Sequence, residues 1–305
     1  MDVIAAFKTF VRVAETESFS AAAREFNVGQ PAVSKQIAAL EDYLGARLLQ
    51  RSTRSLTLTD EGVEFLNYAR AAIEAVDEAV EHSRGREGHV AGVLRMTSNA
   101  SFGRMHIVPR LSLLAARYPD LRVDLVLEDS VVDLVGQGID LAIRFGEPQE
   151  PNLIARRLGT MRMIIIASKA YLDKRGRPSS PEELKDHSCL VFGGRENGDQ
   201  WPFIENGRTS QVSVNWRLRI NNSDALRQAV LSGLGIAMMP SWHFPDLWEN
   251  ETLETLFDDY EKPSYPMYAV YPSRRYTPAK VRAMIDFLQH EINLDPTMTG
   301  GVGLV

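Results

Sequence analysis

Apolar residues recur at helical spacing from the start of the chain. Ile4, Phe7, Phe10, Val11 and Ala14 share one face, which predicts an amphipathic helix over residues 3–15. Ser18 or Ser20 offers a side-chain cap for a second helix running through Ala21, Ala22 and Ala23 to Phe26. Its alanines let another helix approach closely. Asn27-Val28-Gly29 ends it, because Asn and Gly tolerate left-handed backbone angles. A third helix follows, with Pro31 suited to its first position, where the missing N–H costs nothing. Val33, Ile37, Leu40 and Leu44 repeat at steps of four, three and four and form one buried stripe, while Gln30, Ser34 and Lys35 lie off it.

A short helix, a tight turn and a second helix with polar residues at its N-terminal end make a helix-turn-helix. In such motifs those polar residues face base edges in the major groove. Gln30, Pro31, Ser34 and Lys35 are the candidate contacts. Leu49, Leu56 and Leu58 then alternate with polar residues around 52–55, predicting a small hairpin that carries Arg51, Thr53 and Arg54. A hairpin beside a recognition helix is a wing, and its arginines meet phosphate or the minor groove.

Thr59 is placed to cap a further helix, whose first turn holds Asp60 and Glu61, acids favourable against the helix dipole. Leu66, Ala69, Ile73, Val76 and Val80 alternate at three and four along it, a heptad seam. Such a seam serves either a second copy of the chain or the helix's own domain, and its place between two domains favours the dimer. Residues 83–92, SRGREGHVAG, read as a hinge. Beyond it strand and helix signals alternate: strands at 121–127, 141–144, 163–167 and 236–239, and a helix at 103–117. Alternation of this kind implies parallel sheets with helices on both faces, and ligands there sit beyond the strands' carboxyl ends.

Charge changes this picture little. The net charge of −6 excludes a uniformly basic protein. Through Leu58, however, seven bases face six acids, so most of the acidity lies beyond the first segment and a local basic face is allowed. A single cysteine, Cys189, excludes an intrachain disulfide and any C-x-x-C site, and is expected to be buried and inert. The six histidines show no metal spacing, and there is no P-loop or G-x-S-x-G. Gly233-Leu234-Gly235 lacks the third glycine of a dinucleotide loop. No cofactor or metal is called for, and the expectation is a cytoplasmic protein without enzymatic activity. The acidic start of the chain is unlike a secretory signal, and no apolar run is long enough to span a bilayer.

The stretch FVRVAETESFSAAAREFNVGQPAVSKQIAALEDYLGARLLQRSTRSLTLTDEG resembles the N-terminal domain of LysR-type transcriptional regulators along its whole length. It departs at Gly29, where the family often has Ser, and at Lys35, where it often has Arg. Lys cannot make the planar bidentate contact to guanine, which shifts Lys35 toward phosphate. The resemblance, weaker after residue 60, implies an α+β multidomain chain: a winged helix-turn-helix at 1–58, a dimerisation helix and hinge at 59–91, and an effector-binding domain at 92–305. The last comprises two α/β sub-domains of periplasmic-binding-protein type, 92–162 with 268–293 and 163–267. The chain crosses between them near 160–163 and 267–270. The tail, 296–305, is expected from its own sequence to be disordered. The resemblance further implies dimers and tetramers on an interrupted inverted repeat of double-stranded DNA, a small-molecule effector, and RNA polymerase as partner of an activator.

Two segments match the cleft of such a domain. Ser98, Asn99, Ser101 and Phe102 follow the first strand and open a helix, and Asn221, Asn222 and Ser223 open another from the second sub-domain. Their hydroxyls and N–H groups either hold an anionic or polar effector or serve only as helix caps. Asp129, Arg144 and Phe145 end neighbouring strands and are weaker candidates, with Arg144 available to an anion or to an internal ion pair. The rival reading, a solute-binding or enzymatic domain with a helical extension, calls for a signal peptide or a catalytic constellation that the sequence does not offer.

Overall fold

The structure, a computed structural model, describes residues 1–51, 56–83, 89–148, 150–193, 198–205, 208–245, 252–273, 277–295 and 298. The wing tip with Thr53 and Arg54, the side chain of Arg51, hinge residues 84–88 and all of the expected tail except Met298 lie outside the described residues.

Helix α1 (Val3–Thr16) starts on Asp2, whose carboxylate accepts the Ala5 N–H at 3.0 Å, and ends at Glu17, left-handed at φ 49°. Helix α2 (Phe19–Glu25) is capped by Ser18 rather than Ser20. Asn27 takes the left-handed turn at φ 53°, and α3 (Gln30–Leu44) then begins one residue before Pro31. Phe10, Ala22, Val33, Ile37 and Leu40 are buried together in one core. Each large member contributes about 1.5–3 kcal/mol by leaving water. Strands β1 (Leu49–Arg51) and β2 (Leu56–Leu58) pair antiparallel as the wing, with Leu49 opposite Leu58. Buried Glu41 of α3 fixes where the wing starts: its Oε1 accepts the N–H groups of Leu48 at 2.8 Å and Leu49 at 3.1 Å.

Helix α4 (Asp60–Ser83) is capped by Thr59, whose hydroxyl accepts the Gly62 N–H at 2.9 Å and donates to Arg47 O at 2.6 Å. A Cβ on Gly62 would lie 2.0 Å from Leu48 O, so only glycine lets α4 pass this close to the wing. Phe65 of α4 meets the Phe7 ring edge-on at 5.2 Å.

The remainder contains β3 (Gly92–Ser98), α5 (Ala100–Phe102), α6 (Leu111–Arg117), β4 (Leu121–Leu127), β5 (Leu141–Phe145), β6 (Leu153–Ser168), α7 (Lys169–Arg175), β7 (Cys189–Phe192), β8 (Gln200–Glu205), β9 (Arg208–Ser213), β10 (Trp216–Ile220), α8 (Ser223–Leu231), β11 (Ile236–Pro240), β12 (Leu253–Leu256), β13 (Ser264–Pro272) and α9 (Ala279–Asn293). The helix expected over 103–117 is broken: a π-helical turn (Gly103–Ile107) and a 3-10 turn (Val108–Arg110) precede α6. Pro109 has no N–H to continue a regular ladder.

The sheets are mixed rather than wholly parallel. β3 pairs parallel with β4 and β5, while β13 pairs antiparallel with β5 and β6. β7 pairs parallel with β10 and β11, while β11 and β12 run antiparallel to β6. β6 therefore belongs to both sheets. Its residues up to Arg162 pair with β13, and those from Met163 pair with β11, which places the first crossing near 162–163. The return differs from the 267–270 expectation. β13 pairs with the first sub-domain's strands from Ser264 onward, so the second crossing precedes Ser264 and Met267 is buried in that sub-domain's core. Across 267–270 both edges of β13 are bonded to first-sub-domain strands, β5 on one side and β6 on the other, so the chain does not cross there. Met298, within the expected tail, is 1% exposed and packs in the same core.

Candidate nucleic-acid interface and ligand cleft

The two faces of α3 are sharply divided. Val33, Ile37 and Leu40 face the core; Gln30, Pro31 and Lys35 are exposed, and Ser34 is half-buried. The Gly29 cap supplies no side-chain acceptor to the first turn of α3. Two other bases of this segment are already neutralised. Lys8 pairs with Asp77 at 3.0 Å, and Arg12 bonds Glu25 and Glu15, which raises its pKa further. Lys35 has no ion pair among the described residues.

The α4 seam divides in two. Leu66 and Ala69 pack into the winged domain's own core, Ala69 with no exposure, so the chain itself covers them and they are not free to meet a second copy. Ile73 is half-buried and faces a hollow between α4, α1 and the first sub-domain. Val76 and Val80 are 37% and 40% exposed. The outward stripe joins them to Tyr68, Ala75 and Ala79, also exposed, with Ala72 half-buried between. Heptad counting misses Ala72, Ala75 and Ala79 because small residues weigh little in an apolar pattern, and Tyr68 because it lies off the Leu66–Ala69–Ile73 spacing. Asn67 donates to Val135 O at 2.7 Å, joining α4 to the first sub-domain.

The two predicted turns do converge, but on each other. Ser223 Oγ donates to Ser101 Oγ at 3.1 Å, with both residues buried. Beside them Arg104 holds Asp224 through two bonds of 2.6 and 3.1 Å, which lowers the Asp224 pKa and raises that of Arg104. The capping capacity of each turn is used internally. Asn99 accepts the Phe102 N–H at 3.1 Å and donates to Asp129, which also accepts the Ala100 N–H at 3.1 Å. Asn222 accepts the Ala225 N–H at 2.9 Å, and Asn221 is exposed. Arg144 bonds Glu150 and donates to Val132 O at 2.7 Å, an internal pairing that accounts for it without an anion. The anion site expected from these turns is not what the local geometry builds.

A cavity of about 530 Å³ opens next to this latch, between the two sub-domains. Asn99, Phe145, Met161 and Tyr265 line it from the first; Trp201, Met238, Trp242 and His243 are among those from the second. Of the predicted effector residues, Asn99, Phe145 and Ser223 line it, while Ser98, Ser101, Phe102, Asp129, Arg144, Asn221 and Asn222 do not. No Lys or Arg is among the described lining residues. Trp242 stacks near Phe145 at 6.0 Å and meets Phe102 edge-on at 5.4 Å. His243 stacks on Trp242 at 4.0 Å; burial pulls its pKa down to about 3, so it is neutral. The Trp242 Nε1–H, both His243 ring nitrogens and the Ser98 hydroxyl are buried without a hydrogen-bond partner among the described residues. Trp242 and His243 follow the carboxyl end of β11, the position where open sheets bind ligands, and that placement was the available sequence signal. Cys189 is fully buried, its pKa pushed up to about 12 by burial, which leaves it an unreactive thiol. Among the described residues no helix is long and apolar enough to cross a membrane, and no metal-binding cluster is present.

The comparisons with known proteins agree with this arrangement. Residues 4–63 match the family described as bacterial regulatory helix-turn-helix protein, lysR family, and residues 87–293 match the LysR substrate binding domain. The chain is 32% identical over 295 residues to the probable HTH-type transcriptional regulator LtrA of Klebsiella pneumoniae, covering 96% of this chain and 94% of that one. It is 34% identical over 283 residues to the HTH-type transcriptional regulator DmlR of Escherichia coli, covering 92% of each. The solved structure of CrgA, a LysR-type transcriptional regulator from Neisseria meningitidis, aligns with a TM-score of 0.62 at 30% identity, covering 94% of this chain and 97% of that chain. A winged helix-turn-helix, a long connecting helix and a two-part ligand-binding domain in one chain make this protein a member of the LysR family of ligand-responsive, DNA-binding transcriptional regulators.

Proposed function

We propose that two copies of the chain bind an interrupted inverted repeat in double-stranded DNA, each placing the first turns of α3 in a major groove. The observation that carries this reading is the division of α3: Gln30, Pro31 and Lys35 are exposed at its N-terminal end, opposite a stripe locked into the core. Gln30 reads a base edge, Ser34 and Lys35 hold the helix in register, and Arg51, Thr53 and Arg54 of the wing meet the backbone or minor groove. The outward stripe of α4, from Tyr68 through Val76 to Val80, pairs the two copies, and dimers associate further into tetramers. A small molecule enters the cleft between the sub-domains. It switches the protein only by binding one arrangement of them more tightly than the other. The protein works by binding, without an enzymatic step, in the cytoplasm where its operator lies. As an activator its partner is RNA polymerase. The test is a mobility shift with DNA from upstream of its own gene at moderate salt, comparing wild type with Gln30→Ala. Retarded complexes whose sequence preference changes in the variant support the reading, and equal binding of every sequence by both proteins contradicts it.

A further inference from the structure

The cleft's chemistry narrows the class of molecule it accepts. Its described wall is aromatic and thioether, from Phe145, Trp201, Trp242, Met161 and Met238, and contributes no cation. Two guanidiniums lie behind the wall, and both are engaged: Arg104 is held by Asp224, and Arg227 donates to His243 O at 2.8 Å. His243 carries no charge near neutral pH. Among the described lining residues an anion finds no opposite charge to replace the water it loses, which disfavours it.

Polar capacity is nevertheless present and unused. The Trp242 indole N–H is a donor only; the neutral His243 ring is one donor and one acceptor. All three atoms are buried without a partner among the described residues, though both residues form part of the cavity wall. Buried polar groups are seldom left unpaired in a folded protein, and these are covered in this arrangement, so a ligand completes them by drawing the Trp242 and His243 side chains toward the cavity. Gln200, on β8, adds an amide to the same wall.

We propose that the effector is a neutral, flat aromatic molecule bearing an uncharged hydrogen-bonding group, such as an amide or carbonyl, that engages Trp242 and His243. The proposal rests on the cleft being the effector site. The ring stacks against the aromatic and methionine wall, and the polar group meets the indole N–H and the imidazole.

The experiment is a titration of the full-length protein with cinnamamide and with cinnamate, two molecules of one shape that differ in charge at neutral pH. Intrinsic tryptophan fluorescence reports occupancy, because Trp201 and Trp242 line the cavity. Cinnamamide is expected to bind at least about tenfold more tightly than cinnamate. His243→Leu and, independently, Trp242→Phe should each shrink that preference to about threefold or less. Equal or tighter binding of cinnamate, or a preference unchanged in both variants, overturns the proposed class while leaving the cleft as the effector site. If neither compound changes the fluorescence at millimolar concentration, the cleft reading fails and the class assignment falls with it.

Discussion

Ser101 and Ser223, which lie 122 residues apart in sequence, join hydroxyl to hydroxyl at 3.1 Å and so tie the N-terminal end of α5 in one sub-domain to that of α8 in the other. Arg104 and Asp224 make a second tie alongside it. The Arg104 side chain is 59% exposed, so the ion pair contributes no more than about 1 kcal/mol. A tie of that strength can hold one arrangement of the sub-domains yet yield to a ligand that favours another.

Arg104→Ala should therefore loosen the junction without unfolding the protein. Amide hydrogen exchange is expected to rise in α5 and the first turn of α8, while the melting temperature falls by only a few degrees. Exchange unchanged at both helix ends would show that the ion pair does not restrain the sub-domains.

His243 predicts a particular acid sensitivity. Burial lowers its folded-state pKa to about 3, below the ordinary value of 6.5, so the unfolded chain takes up the proton first. Its contribution is fully present above pH 6.5 and is lost as pH falls toward 3, at a limiting slope of about 1.4 kcal/mol per pH unit. Urea titrations of wild type and His243→Gln between these limits should show a shallower acid decline in the variant. Parallel curves contradict the assignment.

The division of α4 distinguishes two substitutions that look alike in sequence. Val76→Asp, on the outward stripe, should yield folded monomers with weakened operator binding, since each buried valine accounts for about 1.5–3 kcal/mol of pairing. Ala69→Asp should instead destabilise the winged domain, because Ala69 is wholly buried in its core. Sedimentation separates the outcomes: a Val76→Asp dimer that persists at low micromolar concentration rules out this stripe as the interface.

On the DNA face, Gln30→Ala should relax preference at one base pair by about 1–3 kcal/mol. Lys35→Ala should weaken all sequences alike and flatten the salt dependence by about one unit. Quantitative mobility shifts over a range of salt concentrations check both. A Lys35→Ala effect confined to one base would assign Lys35 to base reading instead.

The winged domain was legible because its signals are local: a stripe of apolar residues, the caps Ser18 and Thr59, and the break at Asn27 lie within a few residues of what they control. The inward use of Leu66 and Ala69 was not, because a heptad pattern gives a helix an apolar face without saying which surface covers it. The second crossing was missed for a related reason. Whether residues 264–267 join one sheet or the other depends on partners in β5 and β6, more than a hundred residues upstream. In the cleft, the capping residues announced two helix starts correctly, yet capping uses up the groups that seemed free for an anion. Trp242 and His243 carry no local motif, and their unpaired atoms emerge only when the fold sets Trp242 against Phe145 and Phe102 and stacks His243 on Trp242.

Sequence-specific DNA binding by paired copies through the start of α3 is read out most directly by selection from a randomised duplex library with the full-length protein. The expected result is enrichment of an interrupted inverted repeat, with the preference at one symmetric position in each half lost in Gln30→Ala. Enrichment of no sequence, or of one unchanged by Gln30→Ala, contradicts it.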